Sequence, residues 1–391
     1  MTRYAWVATL EQAGSVPLGL RRAEESARRV PVLAWIAGWW LLGRAVIVVT
    51  AIVVHHFGPT GWIKHVAHAH ALGPLQAWDG RWYRIVAGTG YLLVPGRQSD
   101  PAFFPLFPVL LRAGHALGLG YPTAGLVIAN LGFLGALVAF HALTRDLFDD
   151  SMARRATAYL AVFPFGYTFS MIYPESIVLA LIALSALSAR RRRWGLAAVC
   201  AAAAALARPE GLFVALPLAV LAWQQRDALS PRARGVALGT VLAPAAAIGS
   251  FSLYLGNVLG DPMAWSQAQR AWGRAFEPLG VLRAVEGLGR AFAHDAWVTR
   301  DVAAVAVYLV LLAAAARAGV TWPWLLSGLA IVVLPLFSGS FDSVGRFGLL
   351  APAAFWGLAA LGRDPRANRV ILGLSVPLLV AAMATLPLRF P

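Results

Sequence analysis

Residues 174–207 read PESIVLALIALSALSARRRRWGLAAVCAAAAALA, two apolar runs joined by Arg190, Arg191, Arg192 and Arg193. Neither run presents the polar face that a water-exposed helix needs, so each is buried on every side, in protein or in lipid. Short cytoplasmic loops of membrane proteins are enriched in arginine and lysine, and these four arginines are the strongest such signal in the chain. The stretch predicts a helix, a cytoplasmic basic loop and a second helix within a polytopic membrane protein.

Composition agrees. Of 391 residues, 59% are hydrophobic and 13% charged, against about 25% charged in a soluble globular domain. The formal net charge of +15 does not mark a nucleic-acid partner, because the basic residues sit in short clusters between apolar runs, where topology accounts for them. Cys200 is the sole cysteine, which excludes a disulfide within the chain and a thiolate metal site. The arginine bias, with Lys64 the only lysine, and the many alanines point to a GC-rich bacterial genome and hence a bacterial plasma membrane. Residues 1–31 lack a cleavable-signal pattern and read as a cytoplasmic arm. In it Arg21, Arg22, Arg28 and Arg29, beside Glu24 and Glu25, form a short surface helix on anionic lipid or serve only as a topology signal.

A spanning helix needs about 20 apolar residues. Runs of this kind lie near 32–54, 123–145, 156–172, 174–189, 195–207, 212–223 and 235–255, and then near 302–316, 322–337, 347–361 and 370–386. Placing the four arginines inside also puts Arg154, Arg155, Arg317 and the loops 226–234 and 363–369 inside. Outside fall 57–122, 173–175, 208–211, 257–300 and 338–346. Residues 103–119 are apolar enough to span, but counting them would invert every later loop. With Pro101, Pro105 and Pro108 they read instead as interfacial or re-entrant. The expectation is an all-α protein of about eleven spans, with the arm 1–31, a module 32–256 that includes the loop 57–122, a second outer loop 257–300 and C-terminal helices 301–391.

Under this parity the inner loops are mostly arginine, whereas the outer ones mix Trp, Tyr, His, Asp, Glu and Gln, so the outer face is the working one. No GxxxxGKS/T, no GxGxxG after a strand and no HExxH occurs, leaving nucleotide-driven and zincin chemistry unsupported. The most informative outer stretch runs from Trp78 and Asp79 through Arg81, Trp82 and Tyr83 to Tyr91. At helical spacing Trp78, Trp82 and Ile85 share a face, as do Asp79 and Tyr83, which suits a helix lying flat at the membrane surface. The plainer alternatives are an aromatic belt, with Asp79 as a cap or a partner of Arg81.

That stretch, followed by Pro101-Ala102-Phe103-Phe104-Pro105-Leu106-Phe107-Pro108, resembles the PIG-V family, the second mannosyltransferase of glycosylphosphatidylinositol-anchor assembly, and its bacterial relatives. Phe163-Pro164 with Tyr173-Pro174-Glu175-Ser176, then Ala207-Arg208-Pro209-Glu210-Gly211, then Gly260-Asp261-Pro262 through Gln267 and Gln269 to Trp272 continue the resemblance in order. The third block departs from eukaryotic members, which more often show Thr-Arg followed by Ser or Asn. The resemblance implies a GT-C membrane glycosyltransferase with a seven-span module, an acidic residue and interfacial helices in a long first outer loop, and a polyprenyl-phosphate sugar as donor. It implies mannosyl or other hexosyl transfer to a lipid or glycolipid acceptor on the extracytoplasmic face, with no metal cofactor.

An inverting transfer of this kind needs a base for the acceptor hydroxyl and cations for the leaving phosphate. Asp79 is the candidate base, and Arg346 and Arg208 are the candidate phosphate ligands, since arginine forks match phosphate oxygens. For Arg346 the alternative is an interfacial snorkelling arginine, and for Arg208 it is pairing with Glu210 or Glu175. Trp78, Arg81, Tyr83, Tyr173, Glu175, Glu210, Gln267, Gln269 and His294 are candidate substrate contacts; in the second outer loop Gln267, Gln269, Arg270 and His294 either bind sugar hydroxyls or phosphate or are ordinary loop polar residues. His65, His68 and His70 lack an acidic ligand set beside them and read as hydrogen-bonding residues. Arg44, inside the first span, requires a polar partner. Two rivals stand: a transporter or flippase of lipid-linked sugars, with charges at the midplane on broken helices, and a non-catalytic scaffold in which Asp79 tolerates Asn.

Overall fold

A computed structural model describes residues 18–57, 71–289, 292 and 297–386. Among them the chain forms helices and turns, with no β-strand. Helix α1 (Leu18–Phe57) is followed by two short helices, α2 (Asp79–Thr89) and α3 (Leu106–Ala116), and then by α4 (Tyr121–Leu147), α5 (Asp150–Ala161), α6 (Glu175–Arg190) and α7 (Trp194–Ala207). Next come α8 (Ala215–Gln225), α9 (Pro231–Leu259), α10 (Ala264–Ala271) and α11 (Gly280–Glu286). The last are α12 (Trp297–Arg317), α13 (Trp322–Val333), the single turn α14 (Val344–Phe347), α15 (Pro352–Leu361) and α16 (Pro365–Thr385).

Local sequence explains several of the starts. Ser230 accepts the N–H of Ala233, and Asp364 those of Arg366 and Ala367, each ahead of a proline whose fixed φ suits a first helical turn. Among the described residues five helices are long and apolar enough to cross a bilayer: Pro31–Phe57, Tyr121–Leu147, Pro231–Leu259, Thr299–Arg317 and Pro365–Thr385. Two bent pairs raise the number to seven if each is one span. Val370, Leu374 and Leu378 are exposed at a spacing of four on α16, as are Leu238 and Leu242 on α9, so apolar stripes face outward where a soluble protein would be polar. The chain is an integral membrane protein.

The expected count of eleven is not reached among the described residues. Helix α5, with 12 residues, is only about 18 Å long at 1.5 Å per residue, well short of the roughly 30 Å hydrocarbon core. The run expected to span 156–172 ends its helix at Ala161, and Pro164–Ser170 turns as a 3-10 segment bent 97° from α6. The run 347–361 is likewise divided, with Val344–Leu350 bent 86° from α15. Helix α3 is 11 residues long and does not span. The arm's arginines, read as a short surface helix or a topology signal, lie on a helix that runs directly into the first span, 40 residues in all.

The arginine-rich loops gather at one end of the bundle. Arg190 closes α6 and pairs with Asp146 near the end of α4. Arg155 donates to the carbonyl of Ala359, Tyr159 to Asn368, and Gln225 to the carbonyl of Ala189, bringing the loops after α15 and α8 to that same end. Helix α6 then runs 16 residues back to Glu175, about 24 Å away. Helices α12 and α15 touch backbone to backbone: a Cβ on Gly357 would lie 1.9 Å from the Leu311 carbonyl oxygen, so only glycine fits there.

Candidate active site

The two bends and two short helices converge at the end opposite the arginine loops. Proline cannot continue a hydrogen-bonded helix and pushes the residue before it out of helical geometry, so Pro174 and Pro352 account for interruptions at both bends. The first bend sets Glu175 at the start of α6. The second leaves Arg346 within α14, just before the turn. Asp79 opens α2, and Arg208 follows α7 in extended backbone.

These four segments form an alternating chain of charge. The Asp79 carboxylate meets Arg346 Nη1 at 2.5 Å, and the same nitrogen stands 4.0 Å from Glu175 Oε1. Glu175 Oε1 accepts from Arg208 Nη1 at 2.5 Å. Arg208 donates through Nε and Nη2 to both oxygens of Glu210, at 3.1 and 3.2 Å, a two-pronged match of guanidinium and carboxylate. The Asp79 N–H donates to the Tyr173 hydroxyl at 3.2 Å, and the Arg346 guanidinium lies 5.2 Å from the Tyr173 ring centre, fixing the pair from two sides. Glu175 is fully buried, whereas 19% of the Asp79 side chain is exposed, the most of any carboxylate in the chain of charge.

Backbone strain borders the same pair. Trp78, just before Asp79, has φ 57°, and Ser343, three residues before Arg346, has φ 65°, values that non-glycine residues rarely adopt. Such strain persists only where surrounding structure imposes it and concentrates at working sites. Tyr83 packs against Phe103 and Phe107, and burial pushes its hydroxyl well above the ordinary range, which keeps it a neutral donor. Burial alone would raise the Glu210 carboxyl, but the Arg208 fork outweighs it and holds it low.

Of the residues singled out from sequence, Asp79, Tyr83, Tyr173, Glu175, Arg208, Glu210 and Arg346 assemble here, with Trp78 packed beside Tyr173 in one apolar cluster. Arg81 is exposed, and the partner of Asp79 is Arg346 instead. Arg208 pairs with both Glu175 and Glu210. Gln269 donates to the Ala102 carbonyl and Gln267 to Asp261, contacts that hold the second loop. Asp100 is buried and holds the Leu92 N–H at 2.6 Å; burial raises its pKa. His294, like His65, His68 and His70, lies outside the described residues, among which no group of three or more His, Cys, Asp or Glu is placed to hold a metal. Arg44 finds the Gly166 carbonyl at 3.3 Å and the Phe133 ring face at 4.6 Å, main-chain and aromatic partners that sequence pairing does not reveal.

Sequence reasoning passed over Arg274, which follows α10. Its guanidinium lies 5.5 Å from the centre of the Phe347 ring, where those of Arg208 and Arg346 lie at 5.0 and 5.2 Å. Nothing in its local sequence, a loop of mixed polar residues, distinguishes it from Arg270.

No family model and no curated protein sequence matches the chain. Solved structures that resemble it include the archaeal oligosaccharyltransferase AglB from Archaeoglobus fulgidus in complex with an inhibitory peptide and a dolichol-phosphate. That match has 15% identity and a TM-score of 0.45, over 89% of this chain and 56% of that one. The oligosaccharyltransferase of the same organism in the apo form matches at 14% identity and a TM-score of 0.45, over 88% of this chain and 56% of that one. The chain spans just over half the length of these proteins. Likeness at this level carries no functional weight, which rests instead on the chain's own residues.

Proposed function

We propose that the protein is a membrane glycosyltransferase of the GT-C class, similar to the PIG-V family, that moves a mannosyl or related hexosyl residue from a polyprenyl phosphate to a lipid or glycan acceptor. The observation that carries this reading is the partly exposed Asp79 carboxylate held 2.5 Å from Arg346 at the end of the bundle remote from the arginine loops. In the proposed step Asp79 accepts the proton of the acceptor hydroxyl as its oxygen bonds the anomeric carbon from the face opposite the phosphate. The bond from that carbon to the phosphate oxygen breaks, and its electron pair leaves with the phosphate, whose new charge Arg346 stabilises. Donor phosphate competes with Asp79 for Arg346, so donor binding frees the carboxylate to act as a base. Glu175 and Glu210 hold Arg208 and set the local field, and Tyr83 and Tyr173 line and brace the site. No metal ion takes part in this reading.

Transport of a lipid-linked sugar is the second reading, because bent helices carrying charge are a transporter feature. Against it, Glu175 is separated from Arg190 by the full length of α6, about 24 Å, which sets the charges near one membrane boundary and not at the midplane. Purified protein in lipid, given labelled polyprenyl-phosphate mannose and membrane lipids, is expected to yield a labelled acceptor. Glucose on the same carrier is the control. Relocation of intact donor without any new product would sink the transferase reading and leave transport.

The site is proposed to face the extracytoplasmic side of the cell membrane, since arginine-rich loops remain inside. In a Cys200→Ser background, Arg192→Cys is expected to resist an impermeant thiol reagent applied to intact cells, and Asp261→Cys to react. The reverse pattern would overturn the orientation.

A further inference from the structure

We propose that Arg274 is a further ligand of the lipid phosphate, meeting the second negative charge that the phosphate acquires as the sugar departs. The inference rests on the glycosyltransferase reading and deepens it. Three guanidiniums, those of Arg208, Arg274 and Arg346, lie within 5.5 Å of the centre of one ring, Phe347. Like charges gathered this closely oppose one another unless anions stand among them.

Two of the three are already answered, Arg208 by Glu175 and Glu210, and Arg346 by Asp79. Arg274 enters no ion pair among the described residues. Its Nη2 donates to the main-chain carbonyl of Asp342 at 2.9 Å, which holds the side chain in place without neutralising it. Its Nη1 is buried with no hydrogen-bond partner among the described residues. Burial away from water lowers its pKa, with Arg346 as the next cause; the carboxylates of Asp342 and Asp79 oppose that shift from a distance without pairing with it, and an arginine keeps its proton in a protein. A buried cationic donor left unpaired is costly, and a phosphate oxygen is the ligand that best answers it.

Chemistry decides why a second cation is needed. A sugar-bearing lipid phosphate is a diester with one negative charge, and the phosphate released is a monoester that approaches two. Arg346, once relieved of Asp79, answers the first charge; Arg274 is poised for the second. A cation engaged mainly as the second charge develops lowers the barrier more than it tightens the ground state.

Affinity is to be measured on the full-length protein in nanodiscs, with a polyprenyl monophosphate and, in parallel, the polyprenol of the same chain length. Wild-type protein is expected to prefer the phosphate, and Arg274→Gln to weaken that form by roughly 10- to 100-fold while leaving the polyprenol unchanged, as for loss of a hydrogen bond to a charged group. A merely structural Arg274 would shift both lipids together or neither, and either result overturns the inference alone. A wild type without preference for the phosphate overturns the donor reading itself. Should Arg274→Gln fail to fold, Arg274→Lys, which keeps a charge but not the fork, is expected to give a smaller loss confined to the phosphate form; unchanged affinity for it would reject the role of Arg274.

Discussion

Asp79→Asn is expected to lower sugar transfer by about 10²- to 10⁴-fold, the range for loss of a general base, with the fold retained. The amide preserves size and can still approach Arg346, but it cannot take the acceptor proton. It also removes the anion 2.5 Å from Arg346, leaving Glu175 at 4.0 Å as the nearest carboxylate in the chain of charge. Arg346 is thereby opened to the donor phosphate, so donor affinity is expected to hold or rise while turnover collapses. That split separates a base from a positioning contact. Transfer rates, donor binding and thermal melting in detergent together decide it. Near-normal turnover would remove Asp79 from the chemistry.

Arg208→Ala carries the second large expected effect, and it falls on stability. The guanidinium is shared by fully buried Glu175 and by Glu210, so its removal strands Glu210 and leaves Glu175 only the longer 4.0 Å approach of Arg346. Breaking a buried ion pair from one side costs about 3–5 kcal/mol. A clear drop in melting temperature, or loss of a monodisperse protein, is expected. Arg208→Lys is expected to recover part of the loss, because one ammonium cannot reproduce a fork that bonds both Glu210 oxygens while reaching Glu175. A melting curve unchanged in Arg208→Ala would mean that the clamp contributes little.

Much of this was legible in the residues. Apolar runs and arginine clusters announce a membrane bundle with one basic end, because hydropathy and charge act through composition alone. Asp79, Glu175, Arg208 and Arg346 stood out because varied polar residues in outer loops have no topological task. Helix ends were less legible. The apolar runs 156–172 and 347–361 read as single spans, yet Pro164 and Pro352 interrupt them. Hydropathy reports that a segment avoids water, and a protein interior satisfies that as well as lipid does. Partnerships across long separations left no local signal. Arg44 settles on the Gly166 carbonyl, and Arg274 reaches the Phe347 ring through the fold.

The Asp79–Arg346 pair also has a meaning for how the protein is made. Its two members are 267 residues apart in sequence. A chain entering the membrane from its N-terminus sets down Asp79, Glu175 and Arg208 long before Arg346 exists. Until α14 arrives the early helices hold an acid without its cation, and contacts of such separation form last because the intervening loop must first be closed. The site is therefore completed only when the late helices dock. Completion of this end of the bundle is coupled to docking of the late helices.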